Sequence, residues 1–260
     1  MKKIKDLYKS HLVLFWTIIG TLGVFLLWYL ISLIANTTLL PGPQLVLPQF
    51  FAYLGVTETY SAIGWTLLRL LISSILSSLF GLILGIISGL NPAFRAFIKP
   101  FITVFKTIPT AAVIFVIIAL VKPMFGPIII VFLITFPIMY ESVVSGFTSV
   151  DQTLIDSAKV DGASLFKLIF KMYLPLSYNY IILGFVSTIG LGMKVSIMSE
   201  ILAGSSSALG LGKLIRDAQL IVDMQGVLAY SLMAIIIIGL IDIGIYFVKK
   251  KLKINAKKEK

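Results

Sequence analysis

Cysteine is absent and histidine occurs once, at His11. The first absence excludes disulfides, iron–sulfur clusters and thiolate zinc sites. A lone histidine at the start of an apolar run is expected as a membrane-boundary residue and not as a metal ligand. Charge is scarce as well: 13% of the residues are charged, where a soluble domain carries about a quarter. That leaves too little polar surface to coat a globule in water. Between residues 35 and 64 there is no Lys or Arg. What fills the 260 residues is hydrophobic side chain, 58% of the total, with a mean hydropathy of +1.04. The net charge of +11 does not indicate nucleic acid. The basic residues gather at the two ends and in two short loops, the topological signal of membrane proteins.

Crossing the hydrocarbon takes ~20 apolar residues, and six segments qualify: Leu12–Ile34, Ile63–Leu90, Phe101–Val121, Pro127–Phe147, Leu176–Ala203 and Val227–Val248. The first follows a basic lead but runs to ~23 apolar residues with no A-x-A site after it, too long for a cleaved signal, so it is expected to be a retained helix. Lys2, Lys3, Lys5 and Lys9 place residues 1–11 in the cytoplasm; Lys249, Lys250, Lys251, Lys253, Lys257, Lys258 and Lys260 do the same for residues 249–260. Two cytoplasmic ends require an even number of spans. Arg95 and Lys99 mark one turn as internal, and Lys159, Lys167 and Lys171 mark the loop 149–175 as internal. The expected architecture is an all-α integral membrane domain, residues 12–248, with six transmembrane helices and a cytoplasmic hairpin between the fourth and fifth. In the second span Gly81, Gly85 and Gly89 form a doubled G-x-x-x-G, which lets two helix backbones approach closely, with the partner in this chain or in a neighbour.

The loop 149–175 reads as two short helices broken at Gly162. Ser149 with Gln152 matches a capping box. Leu154, Ile155 and Ala158 share a face at helical spacing, and Leu165, Phe166, Ile169 and Met172 continue an apolar face. Gly162 suits a left-handed helix end, and Pro175 opens the next span. Such a hairpin either lies on lipid headgroups or docks in a groove on a soluble partner.

Asp156, Ser157, Ala158, then Gly162, then Met172, Tyr173, Leu174 and Pro175 keep every spacing of an E-A-A-x3-G-x9-I-x-L-P motif. The loop resembles the motif of permease subunits of ATP-binding-cassette importers, with Asp156, Ser157 and Met172 as departures. Leu40–Pro43, Lys106–Pro109, Ser149–Asp156 and the stretch Glu200 to Gly212 are similar to segments of the nitrate/sulfonate/taurine-type permeases, although Ser199 stands where Ala is usual and Ser205–Ser207 lengthen the last one. The resemblance implies a type I importer. A homodimer or pair of permeases would form the pathway, cytoplasmic ATP-binding subunits would receive the loop as a coupling helix, and an extracytoplasmic substrate-binding protein would deliver the cargo. Leu154, Ile155, Asp156, Ser157, Ala158, Gly162, Ala163, Leu165, Leu174 and Pro175 are then the docking residues. ATP and Mg would sit on the partner subunits, the chain itself holding no cofactor and no catalytic residue. The substrate implied is a nitrate-, sulfonate- or taurine-like anion, or an organic molecule of the thiamine-precursor or riboflavin kind.

No catalytic set appears. Gly212-Lys213 is followed by Leu214, and Ser207 stands where a Walker A needs Gly. Charges inside the spans are costly unless they face water or a partner. Lys194 and Glu200 are the pathway-lining candidates, with an ion pair to Glu141 or Asp242 as the other reading of Lys194. Structural roles are expected for Arg69 and Lys106. A secondary transporter driven by an ion gradient remains the alternative, needing a mid-membrane ion site.

Overall fold

The structure is a computed structural model that describes residues 2–35, 39–203 and 209–258. Gly204, Ser205–Ser207 and Lys260 lie outside the described residues. Among those described, every regular element is helical. Five helices of the described residues are long and apolar enough to cross a membrane: α1 (Lys2–Ile34, apolar over Phe15–Ile34), α3 (Thr57–Leu90), α6 (Gly126–Thr148), α10 (Tyr178–Ala203) and α12 (Met224–Lys258, apolar over Met224–Phe247).

The third expected span, Phe101–Val121, is not one continuous helix. The chain instead forms α4 (Pro92–Thr107) and α5 (Thr110–Leu120), bent by 95° at the break. The cause is local. Pro109 has no N–H to continue the ladder and pushes the residue before it out of the α region; Ile108 is accordingly extended at φ −64°, ψ 129°. At ~1.5 Å per residue α5 reaches about half of a ~30 Å hydrocarbon core. The count is six spans only if α4 and α5 together make one broken span. The Asn91 side chain starts α4 by accepting from the Ala93 and Phe94 amides at 3.0 and 3.1 Å.

Helices α3, α6 and α10 form the packed centre, and glycine sets their spacing. A Cβ on Gly81, Gly85 or Gly89 would lie 2.6–2.7 Å from Cβ of Met139, Val143 or Phe147 in α6. The doubled G-x-x-x-G therefore pairs with a helix of the same chain, its backbone pressed against each of those side chains. Gly184 of α10 meets Ser142 in the same way. In lipid there is little hydrophobic force between helices, so this close van der Waals approach is what holds them.

Two shorter helices close one end. In α2 (Pro43–Leu54), Tyr53 stacks on Tyr230 of α12, with centroids 4.4 Å apart and planes 3° apart. Its hydroxyl donates to Asp223 at 3.2 Å, and burial raises its pKa above the ordinary phenol value. Helix α11 (Leu211–Leu220) packs Leu211, Leu214, Ile215 and Ala218 against α3, α10 and α12. By contrast α1 is exposed along nearly its whole apolar length and is tied near its end, where Trp28 Nε1 donates to the Pro41 carbonyl at 3.2 Å.

Candidate functional site

The segment between α6 and α10 folds as a hairpin. Its first arm is α7 (Gln152–Val160). Its second arm is α8 (Leu165–Leu168), a π-helical turn (Ile169–Tyr173) and α9 (Leu174–Leu176). The cap of α7 is Asp151, not the expected Ser149. Asp151 Oδ1 accepts from the Thr153 hydroxyl at 2.8 Å and the Thr153 amide at 2.9 Å, and these two bonds hold its carboxyl below the usual carboxylate range. Ser149 is spent on α6, donating to the Gly146 carbonyl at 2.8 Å.

Gly162 terminates α7 at φ +77°. Its amide donates to the Lys159 carbonyl at 2.9 Å, and the Ala163 amide reaches back to Ala158 at 3.0 Å. These two bonds define a Schellman motif, which needs a left-handed residue where Gly162 stands. Ala158 and Ala163, the residues it joins, are both half-buried against the same core. Ser164 then caps the second arm through the Lys167 amide at 3.4 Å. Further on, Pro175 has no N–H to offer the Lys171 carbonyl, and the helix widens one turn earlier, where the Leu174 amide reaches Ile169.

The hairpin has two unlike faces. Ile155, Leu168 and Tyr173 are buried on Val143 and Phe147 at the foot of α6 and on Val150 just beyond it. Tyr173 lies flat on Phe147, 5.1 Å between centroids and 5° between planes. Burying an Ile or Leu in this way is worth about 1.5–3 kcal/mol, so the hairpin is a fixed extension of α6. The outward face carries Leu154, Val160, Leu165, Phe166 and Phe170, all exposed, with the Phe166 and Phe170 rings in tilted contact, 4.4 Å between centroids and 38° between planes. Here the expected faces are corrected: Leu154 turns away from Ile155 and Ala158, and Leu165 with Phe166 turns away from the buried side. Asp156 and Ser157 are exposed beside them, Asp156 bonding Lys159 at 2.9 Å and raising the pKa of that lysine. Leu174 is half-buried and Pro175 exposed.

The charged residues of the spans separate into three groups. Glu200 and Arg69 meet inside the chain at 2.8 Å, with side-chain exposures of 1% and 3%. Lys106 bonds both oxygens of Glu141 at 2.7 and 2.9 Å, half-exposed beside the α4–α5 bend. Lys194 is exposed on α10 and forms no ion pair among the described residues; Glu141, one of its two candidate partners, is taken by Lys106. Among the described residues, no group of three or more His, Cys, Asp or Glu is placed to hold a metal ion.

The sequence profile of the "binding-protein-dependent transport system inner membrane component" family matches residues 81–254, more than half of the chain. The chain belongs to this family. The matched part of this inner membrane component begins in the last third of α3 and contains the hairpin, α10, α11 and most of α12. A probable ABC transporter permease protein of Brucella melitensis biotype 1 is 32% identical over 113 residues, 44% of either chain. A second, from Brucella abortus, matches over the same length at the same identity. The chain thus spans under half the length of the curated relatives it matches. Two crystal forms of the MetNI methionine ABC transporter, both in inward-facing conformations, share the fold. One has a TM-score of 0.63 at 15% identity, covering 75% of this chain and 96% of the other; the second has 0.58 at 15%, covering 76% and 99%.

Three features of this inner membrane component escaped sequence reasoning. Leu168 and Tyr173 anchor the second arm, but its apolar residues are dense enough that several helical faces fit. Asp151 lies two residues from Ser149, which matched a cap equally well. Arg69 and Glu200 were both visible as costly intramembrane charges, and each lacking a nearby opposite charge in sequence was the available signal that they pair.

Proposed function

We propose that this chain is the membrane-spanning permease subunit of an ATP-binding-cassette importer. The hairpin 149–175 is its coupling element to a cytoplasmic ATPase, and both termini are cytoplasmic under a six-span count. The observation that carries the reading is the two-faced hairpin. One side is locked onto α6 by Ile155, Leu168 and Tyr173, and the other presents Leu154, Leu165 and Phe166 outward. A lever needs both: a rigid root in the spans and a free apolar face for a partner groove. Membership of a binding-protein-dependent transport family and relatives named as ABC transporter permeases support the same reading. A loop lying on lipid would have no need of a stacked, buried root.

In this mechanism two permeases line the pathway as a homodimer or pair. ATP binding draws the ATPase subunits together, and each hairpin carries the motion into α6 and α10, so that the spans open outward to a substrate-binding protein. Hydrolysis on the partner subunits resets them. ATP and Mg belong to those subunits. Lys194 is the pathway-lining residue, since its ammonium is exposed on α10 and engaged in no ion pair among the described residues. Glu200, the other candidate, is committed to Arg69 in this conformation. A cationic pathway residue favours an anion of the nitrate, sulfonate or taurine kind over the thiamine-precursor or riboflavin kind of molecule.

Reconstitution of the full transporter in proteoliposomes tests this. ATP-dependent uptake of the ligand of the cognate binding protein is expected. Lys194→Ala should lower the uptake rate by about tenfold, as for loss of a charge contact of ~1.4 kcal/mol, with ATPase assembly intact. Uptake driven by an ion gradient without ATP would favour the secondary-transporter alternative and reject the proposal.

A further inference from the structure

We infer that Thr66, Arg69 and Glu200 form a side-chain clasp that caps α11 from two other helices and makes α11 move as one body with α3 and α10. Thr66 and Arg69 stand three residues apart on α3 and so share a face; Glu200 faces them from α10. Glu200 Oε1 accepts from Arg69 Nη1 at 2.8 Å. Its Oε2 accepts from the Thr66 hydroxyl at 2.8 Å and from the Gly212 amide at 3.0 Å. Thr66 Oγ1 in turn accepts from the Leu211 amide at 2.8 Å. Leu211 and Gly212 are the first two residues of α11, whose own preceding residue, Gly210, has no side chain to cap with. Two of the orphan amides that every helix start leaves are therefore satisfied by α3 and α10.

Each part needs the others. A carboxylate at a helix N-terminus is stabilised by the helix dipole, and Arg69 neutralises it in a place where neither charge reaches water. Removing one partner would leave the other as a buried lone charge, which is far costlier than the pair. The approach is close enough to dictate the sequence: a Cβ on Gly212 would sit 2.5 Å from the Ile197 carbonyl and 2.6 Å from the Glu200 Cβ. The clasp concerns α11 alone and holds whatever docks on the hairpin.

Amide hydrogen exchange on the full chain in lipid nanodiscs tests it. Thr66→Val removes one hydroxyl at nearly constant volume and should speed exchange over residues 211–214 by about tenfold, as for loss of one buried hydrogen bond. The hairpin residues 152–163 should exchange as in the unaltered chain. Arg69→Lys, which keeps the charge, should leave 211–214 protected, whereas Glu200→Ala should release it further. If Glu200→Ala does not fold, Thr66→Val decides alone. Unchanged exchange at 211–214 in Thr66→Val, or an equal rise throughout the chain, would overturn the inference.

Discussion

Replacing Gly162 by Val should abolish coupling while leaving the spans inserted. Gly162 holds φ +77°, and a Cβ placed there would meet nothing within 4 Å. The penalty is thus entirely conformational. A β-branched residue is a genuine outlier in the left-handed region, which costs even an ordinary L-residue about 1–2 kcal/mol. The cheaper course is for the turn to leave that region. Doing so breaks both Schellman bonds, Gly162 to Lys159 and Ala163 to Ala158, and frees the angle between the two arms. The outer residues Leu154 and Leu165, one on each arm, no longer form one surface. Uptake by the reconstituted complex should fall to background, and retained ATPase should drop at least tenfold. Gly162→Asn is the matching control, because Asn enters the left-handed region readily; it should keep most of the activity. Full uptake by Gly162→Val would show that the hairpin angle is not part of coupling.

The second large effect is expected at Gly85. A Cβ there would lie 2.6 Å from the Val143 Cβ, 2.8 Å from its Cγ1 and 3.2 Å from the Tyr140 carbonyl. None of these is the far end of a flexible chain, so the new side chain cannot be accommodated by a rotamer change. Gly85→Leu must push α3 away from α6 along the contact that organises the whole bundle. Overpacking of an ordinary core costs about 1–3 kcal/mol; here the backbone separation itself has to change, and loss of folded, monodisperse protein in detergent is the expected result. Gly64 lies on the same helix with nothing within 4 Å of a Cβ. Gly64→Ala should be neutral or stabilise by about 0.5–1 kcal/mol, as for any exposed helix glycine. A normal chromatographic profile and thermal midpoint for Gly85→Leu would mean that α3 and α6 are not in close backbone contact.

Why these positions carry such weight follows from which parts of the structure a linear pattern encodes. Helix length and apolar content are local properties, and α3, α6, α10 and α12 could be read directly with ends displaced by a few residues. The turn at Gly162 was legible for the same reason, since a glycine between two amphipathic runs has few other uses. The break at Pro109 was not, although the proline was in plain view. Apolar side chains continue on both sides of it, and a span-length hydropathy window averages across a 95° bend. The facing of the hairpin failed at single-residue resolution: Leu154 and Ile155 are equally apolar, and only the position of Phe147 on α6 and of Val150 just beyond its end decides that Ile155 turns inward. The Arg69–Glu200 pair joins residues 131 positions apart, a distance over which no periodicity informs. The glycine stripe showed that a helix would approach, but its partner became known only with Met139, Val143 and Phe147 in place.

The central claim is that the hairpin 149–175 is where this chain receives an ATPase. Its most direct test is affinity purification of the tagged chain, co-expressed with its cognate cytoplasmic ATP-binding subunit, with and without residues 154–172. The account predicts stoichiometric co-purification of the ATPase with the intact chain and its loss on deletion, while the deleted chain remains in the membrane fraction. Equal recovery of the ATPase with the deleted chain would contradict it.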